Sequence, residues 1–286
     1  MTTHKPRGAL LGLAIMIVSE AATLARVEPF WSWNTPIAWT GFIVFADSLV
    51  WRARGDSWLR SAPREFAALA LASIPLWLVF ELYNRFIANW YYVGLPENAV
   101  LRYVGYGWSF ATIWPAIFEA AELFAVLRRP AAPASAPAVP GPPALPGLAE
   151  ALLVGLGAAM LASPFVVSHA AARYLAAPVW LGFILLLDPI NARLGGESLL
   201  VDLRAGRLDR LINLILSGFL CGVLWEFWNY WCRAKWHYTV PIMQNVKIFE
   251  MPLPGYLGFP AFALECFTMY VSVRLAITTL GRRIAL

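Results

Sequence analysis

Eight apolar runs divide this sequence, near 8–26, 36–51, 65–88, 103–127, 148–167, 177–192, 209–232 and 254–280. Each approaches the roughly 17 to 25 residues a helix needs to cross about 30 Å of hydrocarbon. Such runs leave few structural options. Lipid offers the backbone no hydrogen-bond partner, so a spanning segment must satisfy its own N–H and C=O groups, as a helix does. The runs at 36–51 and 177–192 are the shortest. With 60% hydrophobic and 14% charged residues, the chain lies outside the soluble range. The expected fold is all-α: a polytopic integral membrane protein of eight transmembrane helices.

Basic residues set the expected orientation. Fourteen Lys and Arg side chains, among them Lys5, Arg7, Arg52, Arg129, Arg210, Arg282 and Arg283, fall on the side of the N-terminus. Only seven fall on the other side: Arg26, Arg85, Arg102, Arg173, Arg233, Lys235 and Lys247. The positive-inside rule then puts both termini in the cytoplasm, with the protein in the inner (cytoplasmic) membrane. This topology accounts for the net charge of +5, so no nucleic-acid partner is expected. The first run is too long for a signal-peptide core and reads as a retained helix. Cys221, Cys232 and Cys266 fit no metal or disulfide spacing, and His4, His169 and His237 are too few for an intramembrane haem. No metal or cofactor is expected.

The chain repeats itself. Trp39–Leu59 set against Trp180–Leu200 gives nine identities in twenty-one ungapped positions, including Gly41/Gly182, Asp47/Asp188 and Arg52/Arg193. Between the copies, residues 128–147 form a Pro/Ala tract that reads as an extended linker. The expected organisation is a four-helix repeat over 1–127, the linker, and a second repeat over 148–286. Four helices per copy preserve orientation, so the repeats are parallel. Asp47 and Asp188 read as local ion pairs and caps with Arg52 and Arg193. The stretch from Ser198 to Arg210 reads as an amphipathic segment on the cytoplasmic surface.

Each copy also places a glutamate and an asparagine in an apolar, aromatic setting. The first reads Phe80-Glu81-Leu82-Tyr83-Asn84 before Trp90-Tyr91-Tyr92, the second Trp225-Glu226-Phe227-Trp228-Asn229 before Trp236-His237-Tyr238. On a helix, Glu226, Asn229 and Arg233 share a face with Gly218 and Gly222, whose small size lets another helix approach. Glu119 and Glu265 lie in the next apolar run of each copy. If neighbouring helices pack, Glu226 meets Glu265 and Glu81 meets Glu119, and each carboxyl pair shares a proton suited to acid/base work. Ionisable groups at membrane depth cost roughly 2.5–3.5 kcal/mol on insertion scales and usually mark a pathway or a reacting group. The candidate catalytic residues are Glu226, Asn229, Glu265, Glu81, Asn84 and Glu119. An inherited hydrogen-bonded staple is the structural alternative. Trp225, Arg233, Trp236, His237, Tyr238, Trp90 and Tyr92 are the candidate substrate-binding residues, their ring faces suited to a cation or carbocation.

The stretch from Trp236 through Val246-Lys247-Ile248-Phe249-Glu250-Met251-Pro252-Leu253-Pro254-Gly255-Tyr256 resembles the integral-membrane lycopene cyclase domain of heterodimeric carotenoid cyclases. That family has isoleucine-proline-leucine, then paired glutamates, then aromatics at a helix start. Met251-Pro252-Leu253 fits, whereas Pro254 and Gly255 stand where the paired glutamates belong. The resemblance implies a tandem few-helix module and proton-initiated cyclisation of a polyene. The acid would then come from Glu226 or Glu265, with Asn229 positioning it. The function expected is acid/base chemistry on an isoprenoid or other lipid, of cyclase or isomerase type. The alternatives are a proton- or cation-coupled transporter or lipid-binding protein, and a structural subunit of a membrane complex.

Overall fold

A computed structural model describes residues 7–128 and 147–284. Most of the linker expected over 128–147 lies outside the described residues, as do Lys5 and Arg129. In chain order the helices are α1 (Arg7–Leu24), α2 (Phe30–Arg54), α3 (Trp58–Ser61), α4 (Pro63–Ile87), α5 (Ala99–Arg128), α6 (Gly147–Val166), α7 (His169–Ala172), α8 (Ala176–Arg193), α9 (Leu199–Arg204), α10 (Asp209–Trp231) and α11 (Gly258–Ile284). Four short strands accompany them: β1 (Trp90–Val93), β2 (Lys235–Tyr238), β3 (Lys247–Ile248) and β4 (Met251–Pro252). The chain is thus a helical, multi-pass membrane protein. Among the described residues, six stretches are apolar and long enough to cross a bilayer: α1, α4, α5, α6, α10 and Leu253–Thr279.

The other two long helices miss that apolar standard for a legible reason. Helix α2 carries Asn34, Thr35, Asp47 and Ser48, all buried against neighbours rather than turned to lipid. Helix α8 has 18 residues, so its single full window includes Asp188, Asn191 and Arg193. A helix wrapped by protein need not be apolar all round. The prolines inside α2, α5, α6 and α8 are buried in the same packed setting, whereas Pro75 of α4 is exposed, and α2 departs from helical geometry at Trp33.

Small residues bring the helices together. A Cβ on Gly12 of α1 would sit 2.5 Å from the Gly41 carbonyl of α2. Between α6 and α8 the same device recurs, where a Cβ on Gly157 would strike the Leu186 amide and lie 2.8 Å from the Gly182 carbonyl. Helix α10 packs between α5 and α11. Ser217 donates to the Ile117 carbonyl at 2.5 Å, and a Cβ on Gly218 would lie 2.5 Å from the Phe259 carbonyl. At the centre the packing is aromatic: Trp114 is fully buried and its indole donates to the Cys266 carbonyl at 2.9 Å, while Phe80 stacks on Trp180 at 5.3 Å.

One expectation at the end of the bundle that holds α3 and α9 needs correction, the pairing of each aspartate with the arginine five residues on. Asp47 accepts from the Leu59 amide at 2.9 Å, and Asp188 from Ser198 Oγ, Leu199 N and Leu200 N at 2.7–2.9 Å. Both aspartates therefore hold the chain reversal after their own helix, and neither pairs with the arginine five residues on. Arg193 reaches Glu150 instead, at 3.5 Å. Within the segment from Ser198 to Arg210, Asp202 holds Arg207 at 2.7 Å and Arg210 at 3.0 Å, which folds that segment back on itself.

At the opposite end, β1 and β2 pair antiparallel, with Trp90 opposite Tyr238, Tyr91 opposite His237, Tyr92 opposite Trp236 and Val93 opposite Lys235. A second small ladder joins β3 to β4, and a 3₁₀ turn over Leu253–Leu257 leads into α11.

Candidate functional site

The strand pair and the loop from 239 to 257 cover a cavity of about 540 Å³. Its wall comes from α2, α4, α5, α8, α10 and α11 at their strand-bearing ends, with Trp39, Trp77, Phe110, Trp180, Trp225 and Phe262 among its ring faces. The rings lean on one another: Trp77 lies 5.5 Å from Trp225 and 6.0 Å from Trp90, and Trp225 lies 5.4 Å from Trp236. Such a surface suits a long apolar ligand and holds its own shape.

Glu81 and Glu226 stand just behind that wall. One oxygen of Glu81 accepts from Trp77 Nε1 at 2.9 Å, Trp90 Nε1 at 3.2 Å and Tyr92 Oη at 2.6 Å. Glu226 accepts from Tyr238 Oη at 2.8 Å, and the same phenol oxygen accepts from Trp236 Nε1 at 2.9 Å. Trp90, Tyr92, Trp236 and Tyr238 all line the cavity, whereas neither glutamate does. Each carboxylate therefore communicates with the cavity through a phenol. Glu226 and Asn229 are 0% exposed, and the second oxygen of Glu226 has no hydrogen-bond partner among the described residues.

The two asparagines hold the strands. Asn84 donates to the Trp90 carbonyl at 2.8 Å and accepts from the Trp90 amide at 3.2 Å and the Asn89 amide at 2.8 Å. Asn229 donates to the Trp236 carbonyl and accepts from the Trp236 amide, both at 2.9 Å. Each thus mimics a strand partner for the residue that begins the cavity wall.

Two expectations about this region fail. Helix α10 ends at Trp231, so Arg233 does not continue the Glu226 face; it lies over Trp31 at 5.4 Å and pairs with Glu28 at 3.4 Å. The carboxyl pairs do not form either. The charged neighbours of Glu119 are Asp47, Glu122 and Arg54, towards the other end of the bundle, and Glu226 has Glu250 rather than Glu265 in its field. Glu119 and Glu265 are buried with no hydrogen-bond partner for any carboxyl oxygen among the described residues. For Glu81 and Glu119 the failure is one of depth: α4 and α5 neighbour each other, but Glu119 follows Ala99 by twenty residues while Glu81 precedes the end of α4 by six.

His237 points away from the Glu226 wall and meets Glu250, at 2.8 Å, with Lys235 on the other Glu250 oxygen at 3.2 Å. Burial opposes ionisation of Glu250, but hydrogen bonds from His237 and Lys235 outweigh it and hold the carboxyl below its usual range. This triad fastens the loop before β4 to strand β2. Arg102, Arg173, Trp77 and Trp180 also line the cavity without having been singled out by sequence. Trp180 was visible in the repeat alignment; the two arginines entered only the charge count. Among the described residues, no group of three His, Cys, Asp or Glu side chains is arranged to hold a metal ion. No protein-family model, curated protein or solved structure matches the chain.

Proposed function

We propose that this protein takes an isoprenoid or other lipid into the aromatic cavity and acts on it by acid/base chemistry, in the manner of a cyclase or isomerase. The observation that carries the reading is the linkage of Glu81 and Glu226 to the cavity through Tyr92 and Tyr238, at 2.6 and 2.8 Å. In such a relay a proton passes from the lipid to the phenol oxygen while the phenol proton moves to the carboxylate. The reverse sequence delivers a proton to a double bond, so one step creates and the other quenches a carbocation. Ring faces around the cavity stabilise positive charge without supplying a nucleophile. The resemblance to the membrane lycopene cyclase domain agrees with this reading, since Met251, Pro252, Pro254 and Gly255 all border the cavity.

The same proposal includes the topology. The chain crosses the membrane eight times as two tandem, parallel four-helix repeats, 1–127 and 148–286, with both termini on the cytoplasmic side of the inner membrane and the cavity toward the outer side. Supporting it are the glycine contacts of α1 with α2 and of α6 with α8, the matched roles of Asp47 and Asp188, and the matched clasps of Asn84 and Asn229. The strand register supports it too, because Trp90 opposite Tyr238 and Tyr92 opposite Trp236 is the pairing that a two-fold exchange of the copies requires. The test is mass spectrometry of lipid extracts from cells with and without the gene. A lipid that decreases while a cyclised or isomerised product appears is expected; identical profiles contradict the proposal.

A further inference from the structure

The charged residues in the cavity wall are two arginines, Arg102 of α5 and Arg173 of the turn after α7, with no carboxylate beside them. Arg233 holds Glu28, and Lys235 and His237 hold Glu250. Neither cavity arginine forms an ion pair among the described residues. Arg173 donates through Nη2 to the Thr239 carbonyl at 2.9 Å, while its Nε is buried without any partner. Arg102 makes one long contact, 3.5 Å, to the Pro96 carbonyl, and sits 5.8 Å from the Tyr103 ring.

A half-buried guanidinium that lines a cavity without a carboxylate partner is an unmet demand for an anion, because burial costs the charge part of its hydration and neutral carbonyls offset that only in part. Two such groups lining one cavity, with ring faces over much of the remainder, offer what the two ends of an amphiphilic ligand require. From this geometry we infer that the lipid bound here is an anionic amphiphile. Its phosphate or diphosphate headgroup lies against Arg102 and Arg173, and its hydrocarbon tail runs along the indole wall beside Tyr92 and Tyr238. Arginine suits this role, since its planar fork meets phosphate oxygens with two parallel hydrogen bonds. Arg102 and Arg173 act here as binding residues that set which end of the tail reaches the phenols.

The inference rests on the lipid-cavity reading above, and its test separates the two. The full chain in detergent is titrated with a C15 or C20 prenyl diphosphate, with the matching prenyl alcohol and with inorganic diphosphate, and quenching of its tryptophan fluorescence is followed. The prenyl diphosphate should bind at least about tenfold more tightly than the alcohol. That advantage should shrink as salt rises, fall away in Arg102→Gln and Arg173→Gln, and return in part in Arg102→Lys and Arg173→Lys. Inorganic diphosphate alone should not compete. Equal binding of alcohol and diphosphate overturns the headgroup assignment and leaves the lipid cavity standing. Competition by inorganic diphosphate at the affinity of the prenyl compound overturns the amphiphile in favour of a free anion. Binding by none of the three overturns the headgroup assignment together with the lipid-cavity reading. The salt dependence is read on the unaltered chain, so the test survives a variant that does not fold.

Discussion

An amide that both gives and takes a hydrogen bond with the backbone of one residue is a clasp, and Asn229 is such a clasp on Trp236, at 2.9 Å in each direction. Asn229→Ala leaves the half-buried N–H and C=O of Trp236 without these partners, at a cost of up to about 1–3 kcal/mol for each such group. Thermal unfolding in detergent should fall by roughly 5 °C or more, and an unchanged midpoint would remove Asn229 from its place in the fold. The half-buried Asn84 should lose less, since water reaches its position. Spacing in the sequence located both asparagines and both glutamates. It paired the glutamates with other carboxyls, whereas their partners are Tyr92 and Tyr238, eleven and twelve residues downstream. Contacts across a chain reversal carry no periodicity, so the strand that returns a tyrosine to each glutamate was invisible. The arginines of the cavity escaped notice for a related reason: Arg102 and Arg173 become neighbours of one space only when α5 and the turn after α7 are folded together.

Among the elements, helix positions were far more legible than helix contacts. The apolar runs predict helix limits within a few residues of those seen, apart from the early start of α2 at Phe30. That departure covers Phe30-Trp31-Ser32-Trp33-Asn34-Thr35, whose polar and aromatic residues fall outside the apolar run. The glycine contacts expected of α10 are present, with Phe259 and Pro260 of α11 against Gly218. Those between α6 and α8 permit a controlled test within a single turn. Gly155 has open space where a Cβ would be, while Gly157 meets the backbone of α8. Gly155→Ala should be neutral or gain up to about 1 kcal/mol from helix propensity. Gly157→Ala should lose on the order of 1–3 kcal/mol through forced separation of the helices. Equal behaviour of the two variants in detergent unfolding contradicts the packing described between α6 and α8.

For the molecule as a whole, the number of crossings is the point on which hydropathy and packing diverge, and it has a two-residue test. If α2 and α8 cross along with the six more apolar spans, Glu97 and Leu194 lie on opposite sides of the membrane. If only the six cross, both lie on one side. Glu97 and Leu194 are exposed, and the native cysteines Cys221, Cys232 and Cys266 are buried. Glu97→Cys and Leu194→Cys should therefore be labelled by a membrane-impermeant thiol reagent from opposite faces of sealed vesicles. Labelling from the same face contradicts the eight-crossing repeat. The duplication was legible because ungapped identities survive in the α2 and α8 segments; the cavity was not, since its walls come from both copies and from a loop of no regular pattern. Whether that cavity is a site of lipid chemistry is tested most directly by lipid mass spectrometry of cells carrying the gene, cells lacking it, and cells making Glu226→Gln at equal folded yield. A product lipid present in the first and absent from the other two is expected. A product that persists with Glu226→Gln, or identical profiles in all three, contradicts chemistry through the Glu226 and Tyr238 pair.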